Sequence, residues 1–113
     1  MKINQVVTNI TFYHVTPVRN LPKISREGLV PKIGKRARLL QEPMKGIYLF
    51  HSVEDAEDAV MGWLGDQFGE DVQLALLAVE VPSGAAQTPG AGYEVILTEP
   101  VPSQNIKIVS KNL

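Results

Sequence analysis

The pattern of apolar and polar residues predicts short strands separated by two helices and by loops rich in Gly and Pro. Strands are indicated where β-branched and aromatic residues cluster between turn-forming residues. The predicted strand regions are Gln5–Val15, Gly46–Phe50, Val72–Val81, Tyr93–Thr98 and Ile106–Val109. The predicted loops are residues 30–45 and Ser83–Gly92. We expect Thr16-Pro17 to end the first strand and Pro82 to end the third, and no segment repeats.

Two segments carry helix signals. The first predicted helix runs from Asn20 to Gly28, with Asn20 as N-cap, Pro22 in the first turn and Gly28 after the last turn. The second begins at Ser52, a capping residue followed by Asp55 at the third helical position. Its apolar residues recur at helical spacing: Val53, Ala56, Val60, Trp63, Leu64 and Phe68. Acidic residues crowd its first turns, where the helix dipole favours negative charge, so we interpret them as structural.

The length predicts one domain over residues 1–113, and the order of the predicted elements indicates an α+β fold. Helices gather early and strands late, which favours α+β over a doubly wound parallel sheet. A chain of 113 residues fits one domain and excludes a separate cofactor domain. The absence of Cys excludes disulfides, thiolate metal sites and a Cys nucleophile. With only His14 and His51 available, we predict no metal site.

The charge is divided unevenly between the two halves of the chain. Residues 1–50 carry nine Lys and Arg against two Glu, a balance of +7, whereas residues 51–113 carry ten acids against two Lys, a balance of -8. Such asymmetry marks either a face that binds nucleic acid or phosphate or two solvated faces that neutralise each other to a net charge of -1, and the charges alone favour the second interpretation. No apolar run approaches membrane-spanning length and no signal peptide is visible. We expect a cytoplasmic protein without membrane contact, as a monomer or small homo-oligomer.

Generic catalytic signatures are absent, but three local patterns follow one another in a distinctive order. The chain has no glycine-rich nucleotide motif, no H-E-x-x-H and no G-x-S-x-G. The first pattern is Tyr13-His14-Val15-Thr16 before a short helix that ends in Gly-Leu. The second is Lys45-Gly46-Ile47-Tyr48-Leu49-Phe50, followed by Ser52 and the Ala-containing helix. The third is Tyr93-Glu94-Val95-Ile96-Leu97, followed by Pro102 and Asn105-Ile106-Lys107-Ile108.

These patterns resemble the catalytic domains of poly(ADP-ribose) polymerases. The run YHVTPVRNLPKISREGLVPKIG resembles their His-Gly-Thr/Ser-x-x-x-Asn-(aliphatic)-x-x-Ile-x-x-x-Gly-Leu opening, which RNA 2′-phosphotransferases share. The run KGIYLFHSVEDAEDAV is similar to their Gly-x-Gly-Ile-Tyr-Phe-Ala segment, and YEVILTEPVPSQNIKIV to their ending. The resemblance covers about residues 10–109. It implies the ADP-ribosyltransferase fold, a split antiparallel β-core with a cleft that binds NAD.

The resemblance also implies roles for individual residues. His14 matches the histidine that hydrogen-bonds the nicotinamide ribose, and Tyr48 the tyrosine that stacks on the nicotinamide ring. Glu94 matches the glutamate that contacts the ribose 2′-OH and stabilises the positive charge of the transition state. Val15 stands where the polymerases usually have Gly, and with Thr16 it belongs to the NAD-binding motif. Residues of the basic loop would contact the pyrophosphate of NAD: Lys32, Lys35, Arg36 and Arg38.

The implied activity is NAD-dependent transfer of ADP-ribose, with release of nicotinamide, to water or to a protein or nucleic-acid acceptor. So small an enzyme would suit a bacterial or phage effector. An RNA 2′-phosphotransferase is the first alternative, in which arginines surround a substrate phosphate: Arg19, Arg26, Arg36 and Arg38. A non-catalytic module that binds a nucleotide, nucleic acid or protein is the second.

Simpler structural interpretations compete with each assignment. His14 alone would be a hydrogen-bonded structural histidine, and Tyr48 a core residue. Glu94 would point to solvent from an edge strand, and Glu99 competes with it as the working acid. We prefer Glu94 because it lies on the predicted strand, whereas Glu99 lies past the strand's end.

Overall fold

The computed structural model describes residues 9–31, 46–69, 71–85, 87–89 and 94–113. The strands are β1 (Asn9–Pro17), β2 (Ile47–Phe50), β3 (Leu74–Pro82), β4 (Gln87–Pro89), β5 (Glu94–Leu97) and β6 (Ile106–Ser110). The helices are α1 (Leu21–Glu27), α2 (Val53–Met61) and α3 (Trp63–Phe68), with short 3-10 helices at Val18–Asn20 and Ser103–Asn105. These elements confirm the predicted mixture of helices with strands.

All six strands form one antiparallel sheet in the order β4-β5-β2-β1-β3-β6. β1 pairs with β3 along its whole length, from Asn9↔Pro82 to Pro17↔Leu74. In contrast, β1 and β2 share only the pair Tyr13↔Phe50. Strand pairing between the two halves of the sheet, β4-β5-β2 and β1-β3-β6, is therefore limited to this one pair of residues.

Helices cover both faces of the sheet. On one face, α1 packs against a buried cluster from β1, β2, β3 and β5 that includes Phe12, Leu49 and Leu77. On the other face, α2 and α3 pack on a second cluster that includes Val15 and Phe50. Alternate residues of β1 and β2 enter opposite clusters, as the two-residue period of a strand requires.

The structure corrects the predicted ends of two strands. β1 continues through Thr16 and Pro17, and β3 includes Pro82. A proline disfavours helical geometry for the residue before it, but it leaves extended geometry available. Val18 N–H then donates to Gln73 O at 2.9 Å, so pairing with the chain of β3 continues just past the proline. The part of the first predicted strand that precedes Asn9 lies outside the described residues.

The predicted loop Ser83–Gly92 contains a strand, β4, which the sequence analysis missed. Gln87–Pro89 pairs with β5 through three residues and forms one edge of the sheet. Its three residues are too few to show an alternating pattern, and its proline is tolerated because an edge strand leaves one side unpaired. The remaining parts of both predicted loops lie largely outside the described residues.

The helix predicted from Ser52 onward is two helices. Gly62 separates α2 from α3 with φ -114° and ψ -123°, which is not helical. Glycine weakens a helix because it loses the most backbone freedom on folding. The apolar spacing nevertheless continues across the break, since Ala56, Ala59 and Leu64 are buried in one cluster. The predicted packing of the Trp63 side chain lies outside the described part of the chain.

Replacing the Ser52 cap should weaken α2. The Asp55 N–H donates to Ser52 Oγ at 3.0 Å, as the sequence predicts. We expect Ser52→Ala to lower the free energy of unfolding by about 1 kcal/mol, because one helix N–H loses its acceptor. Chemical denaturation would measure the change, with Ser83→Ala in an exposed turn as the control. Equal stabilities of the two variants would contradict the role of the cap.

Candidate functional site

A cleft of about 480 Å³ lies beside the junction of β1 and β2. Its walls are the ends of these two strands, one side of α1, two apolar residues of α3 and the first residue of β5. The predicted residues His14, Tyr48 and Glu94 all line it. Three positions that are far apart in the sequence are therefore brought together at the junction between the two halves of the sheet.

His14 holds the two halves together at the cleft. Its Nδ1 lies 2.8 Å from the backbone oxygen of Tyr48. Because a carbonyl oxygen only accepts, Nδ1 carries the proton and donates. This bond stands beside the single pair Tyr13↔Phe50, where the ladder between β1 and β2 stops. In the neutral ring the other nitrogen, Nε2, is then a hydrogen-bond acceptor.

Tyr48 and Glu94 lie on the same face of adjacent strands. Tyr48 pairs with Ile96 and Phe50 pairs with Glu94 across the β2-β5 ladder. Glu94 is thus the diagonal neighbour of Tyr48, a relation that brings Cβ atoms within about 7–8 Å. The Tyr48 hydroxyl oxygen is buried, and the side chain as a whole is half-buried. An aromatic ring and a carboxyl group therefore flank the same stretch of the cleft.

Glu94 is a buried acid in the interior of the sheet. It is 5% exposed, and among the described residues only Thr16 joins it as a buried polar or charged side chain. β5 lies between β4 and β2, so Glu94 does not point to solvent from an edge strand, and that interpretation is wrong. Glu99 is exposed and follows the end of β5. The geometry therefore separates the two acids and places Glu94 in the cleft.

Residues of the first motif form the connection between β1 and α1, beside the cleft. Asn20 was predicted to cap this helix, but no capping bond forms from its side chain. Its Nδ2 donates instead to Thr16 Oγ1 at 3.1 Å, linking the end of β1 to the start of α1. Val15 and Thr16 both line the cleft, and Val15 also packs in the core at 6% exposed.

Gly28 ends α1 in a conformation that favours glycine. Its φ is 74°, and a Cβ at this position would collide with the Val101 carbonyl oxygen. The next residue, Leu29, pairs with Val101 through two backbone hydrogen bonds of 2.9 Å. The motif Gly-Leu therefore fixes the C-terminal end of α1 against the late part of the chain, while both residues line the cleft.

Two charged residues of α1 line the cleft and were missed by the sequence analysis. Lys23 and Glu27 are exposed and follow Asn20 at intervals of three and four residues. That spacing puts all three on one side of a helix, which is the signal that would have found them. The predicted phosphate contacts Lys35, Arg36 and Arg38 lie outside the described residues.

The remaining candidates lie elsewhere or form no site. His51 does not line the cleft, and its ring lies 5.3 Å from that of Phe12. Within the described ranges, His, Asp and Glu side chains do not gather into a group of three or more that could hold a metal ion. None of the helices in the described part of the chain has the length and apolar character that a membrane crossing requires.

Comparison of the chain with protein-family models, with curated proteins and with solved structures found no match. The motifs of the chain and the geometry of the cleft are therefore the indications of its function.

Proposed function

We propose that this protein is a small NAD-dependent ADP-ribosyltransferase. It would break the bond between nicotinamide and ribose in NAD and pass ADP-ribose to a macromolecular acceptor. The observation that carries the proposal is the convergence of His14, Tyr48 and Glu94 on one cleft. The motifs name these three residues independently of the fold, and their separation along the chain means that local structure does not bring them together.

The residues fit the chemistry of this bond cleavage. Positive charge develops on the ribose as nicotinamide leaves, and a carboxylate fixed beside it stabilises that charge. Glu94 is suited to this task because it is 5% exposed, and charge interactions are stronger away from bulk water. The flat ring of Tyr48 offers a stacking surface for nicotinamide at a low cost in conformational entropy. His14 Nε2 would accept a hydrogen bond from a ribose hydroxyl.

The surrounding architecture also supports the proposal. An antiparallel sheet in two halves, with a cleft at the junction, agrees with the split core that the resemblance implies. The motif positions Asn20, Ile24, Gly28 and Leu29 line that same cleft. Its volume of about 480 Å³ falls within the range of roughly 300–1,000 Å³ that small-molecule sites occupy.

RNA 2′-phosphate transfer is the weaker alternative. That reading relies on arginines around a phosphate, yet Arg19 and Arg26 are exposed and neither lines the cleft. A carboxyl group at the Glu94 position instead favours transfer of ADP-ribose.

The purified protein should bind and consume NAD. We expect NAD to raise the unfolding temperature by several degrees, since ligand at 100 times its Kd stabilises a protein by about 2.7 kcal/mol. Chromatography would measure the release of nicotinamide, and hence turnover, with and without a mixture of protein and nucleic-acid acceptors. Absence of both effects would overturn the proposal and favour a non-catalytic binding module. Loss of phosphate from a 2′-phosphorylated RNA, without ADP-ribosylated acceptor, would favour the alternative enzyme.

A further inference from the structure

We propose that α1 forms the selective wall of the cleft, where Lys23 binds a phosphate of NAD and Glu27 rejects NADP. This inference rests on the proposed function and goes beyond it by assigning ligand discrimination to two residues outside the motifs. Both side chains line the cleft from the same side of α1, whereas Arg26 on the same helix does not.

The cleft is lined both by a buried carboxyl group and by exposed charges. Glu94 is 5% exposed, while Lys23 and Glu27 are exposed at the α1 wall. In this proposal, the reacting bond of NAD lies beside Glu94 and the other half of the molecule lies along α1. In NAD that half is adenosine diphosphate, whose negative charges remain solvated in an open site.

The two charges on α1 complement that half of NAD. Among the described residues of the cleft, Lys23 is the only Lys or Arg, and its ammonium group can donate to a phosphate oxygen. Glu27 lies four residues further along the helix, and its carboxylate can accept from ribose hydroxyls. NADP differs by a phosphate on the adenosine ribose, which a neighbouring carboxylate repels. Acidic residues select NAD over NADP by the same means in other dinucleotide sites.

ADP-ribose and its 2′-phosphate test binding of the adenosine diphosphate half separately from the reaction, because neither contains nicotinamide and neither is consumed. Calorimetric titration of the full chain should show ADP-ribose binding about tenfold more tightly than the 2′-phosphate, the factor that corresponds to 1.4 kcal/mol. Glu27→Gln should bring the two affinities close to equal. Lys23→Met should weaken both ligands by about fivefold, as expected of one exposed ion pair, and the effect should shrink in high salt.

Arg26→Ala provides the matched control, since Arg26 is an exposed residue of the same helix that does not line the cleft. It should leave both affinities unchanged. Two results would overturn the inference while the proposed function stands, provided that NAD binds. One is a Glu27→Gln variant that keeps the wild-type ratio of the affinities for ADP-ribose and its 2′-phosphate. The other is an Arg26→Ala variant that shifts affinity as much as Lys23→Met does. If neither NAD nor ADP-ribose binds the wild-type chain, the proposed function fails and the inference fails with it.

Discussion

Glu94→Gln should slow nicotinamide release by about 100- to 1,000-fold, the usual cost of removing one electrostatic contact to a transition state. Gln keeps the size of the side chain and its capacity for hydrogen bonds, but it removes the negative charge that would stabilise the ribose. Glu94 is buried on an interior strand, and Glu27 is the only other described acid that lines the cleft. NAD affinity should change far less than turnover, because the lost interaction forms mainly in the transition state.

Glu99→Gln is the matched control for this effect. Glu99 is exposed and lies beyond the end of β5, so its substitution should leave turnover within about twofold, as surface changes usually do. The measurement is the initial rate of nicotinamide release at saturating NAD, with circular dichroism to show that both variants fold. Wild-type turnover in Glu94→Gln, or a greater loss in Glu99→Gln, would contradict the assignment of the acid.

Gly28→Ala should destabilise the fold by about 4 kcal/mol or more, a value that marks a severe backbone conflict. The added Cβ would meet the Val101 carbonyl oxygen, and it would lie 3.0 Å from Ser103 N. Relief would require main-chain movement, because the bonds between Leu29 and Val101 hold the two segments together. Gly28 also has φ 74° and ψ -162°, a region that residues with a side chain rarely occupy.

Gly69→Ala separates the cost of the backbone conformation from the cost of the contact with Val101. Gly69 has φ 87° and ψ 159°, similar to Gly28, but a Cβ there would have no described atom within 4 Å. Its cost should therefore be the conformational term alone, about 1–3 kcal/mol. Urea denaturation of both variants would measure the difference. Equal losses would show that the contact between Gly28 and Val101 contributes little to stability.

The local elements followed from the sequence where short-range chemistry decides them. Ser52 begins α2 and bonds to the N–H of Asp55, and Gly28 ends α1 with positive φ. Both features depend on residues close in the chain. The Ser52 side chain accepts a hydrogen bond from a helix N–H, and the absence of a side chain lets Gly28 adopt a positive φ. The antiparallel α+β class was likewise predictable from the order of helices and strands.

The sequence could not predict which strands lie in the interior. Glu94 was equally compatible with an exposed edge, because a strand of four residues carries no sign of its neighbours. In the structure β5 lies between β4 and β2, and Glu94 is 5% exposed opposite Phe50 of β2. Likewise, Asn20 has a side chain that can cap a helix. In the fold its Nδ2 instead donates to Thr16 Oγ1 at 3.1 Å.

By itself, the sequence determined that His14, Tyr48 and Glu94 stand at strand positions within three ordered motifs. Only the tertiary structure decided that they meet. The sheet halves join at one residue pair, His14 bonds to the backbone of Tyr48, and the opening beside them becomes the cleft. Such contacts join residues 34 or more positions apart, so they depend on how strands pair across the sheet and not on local preference.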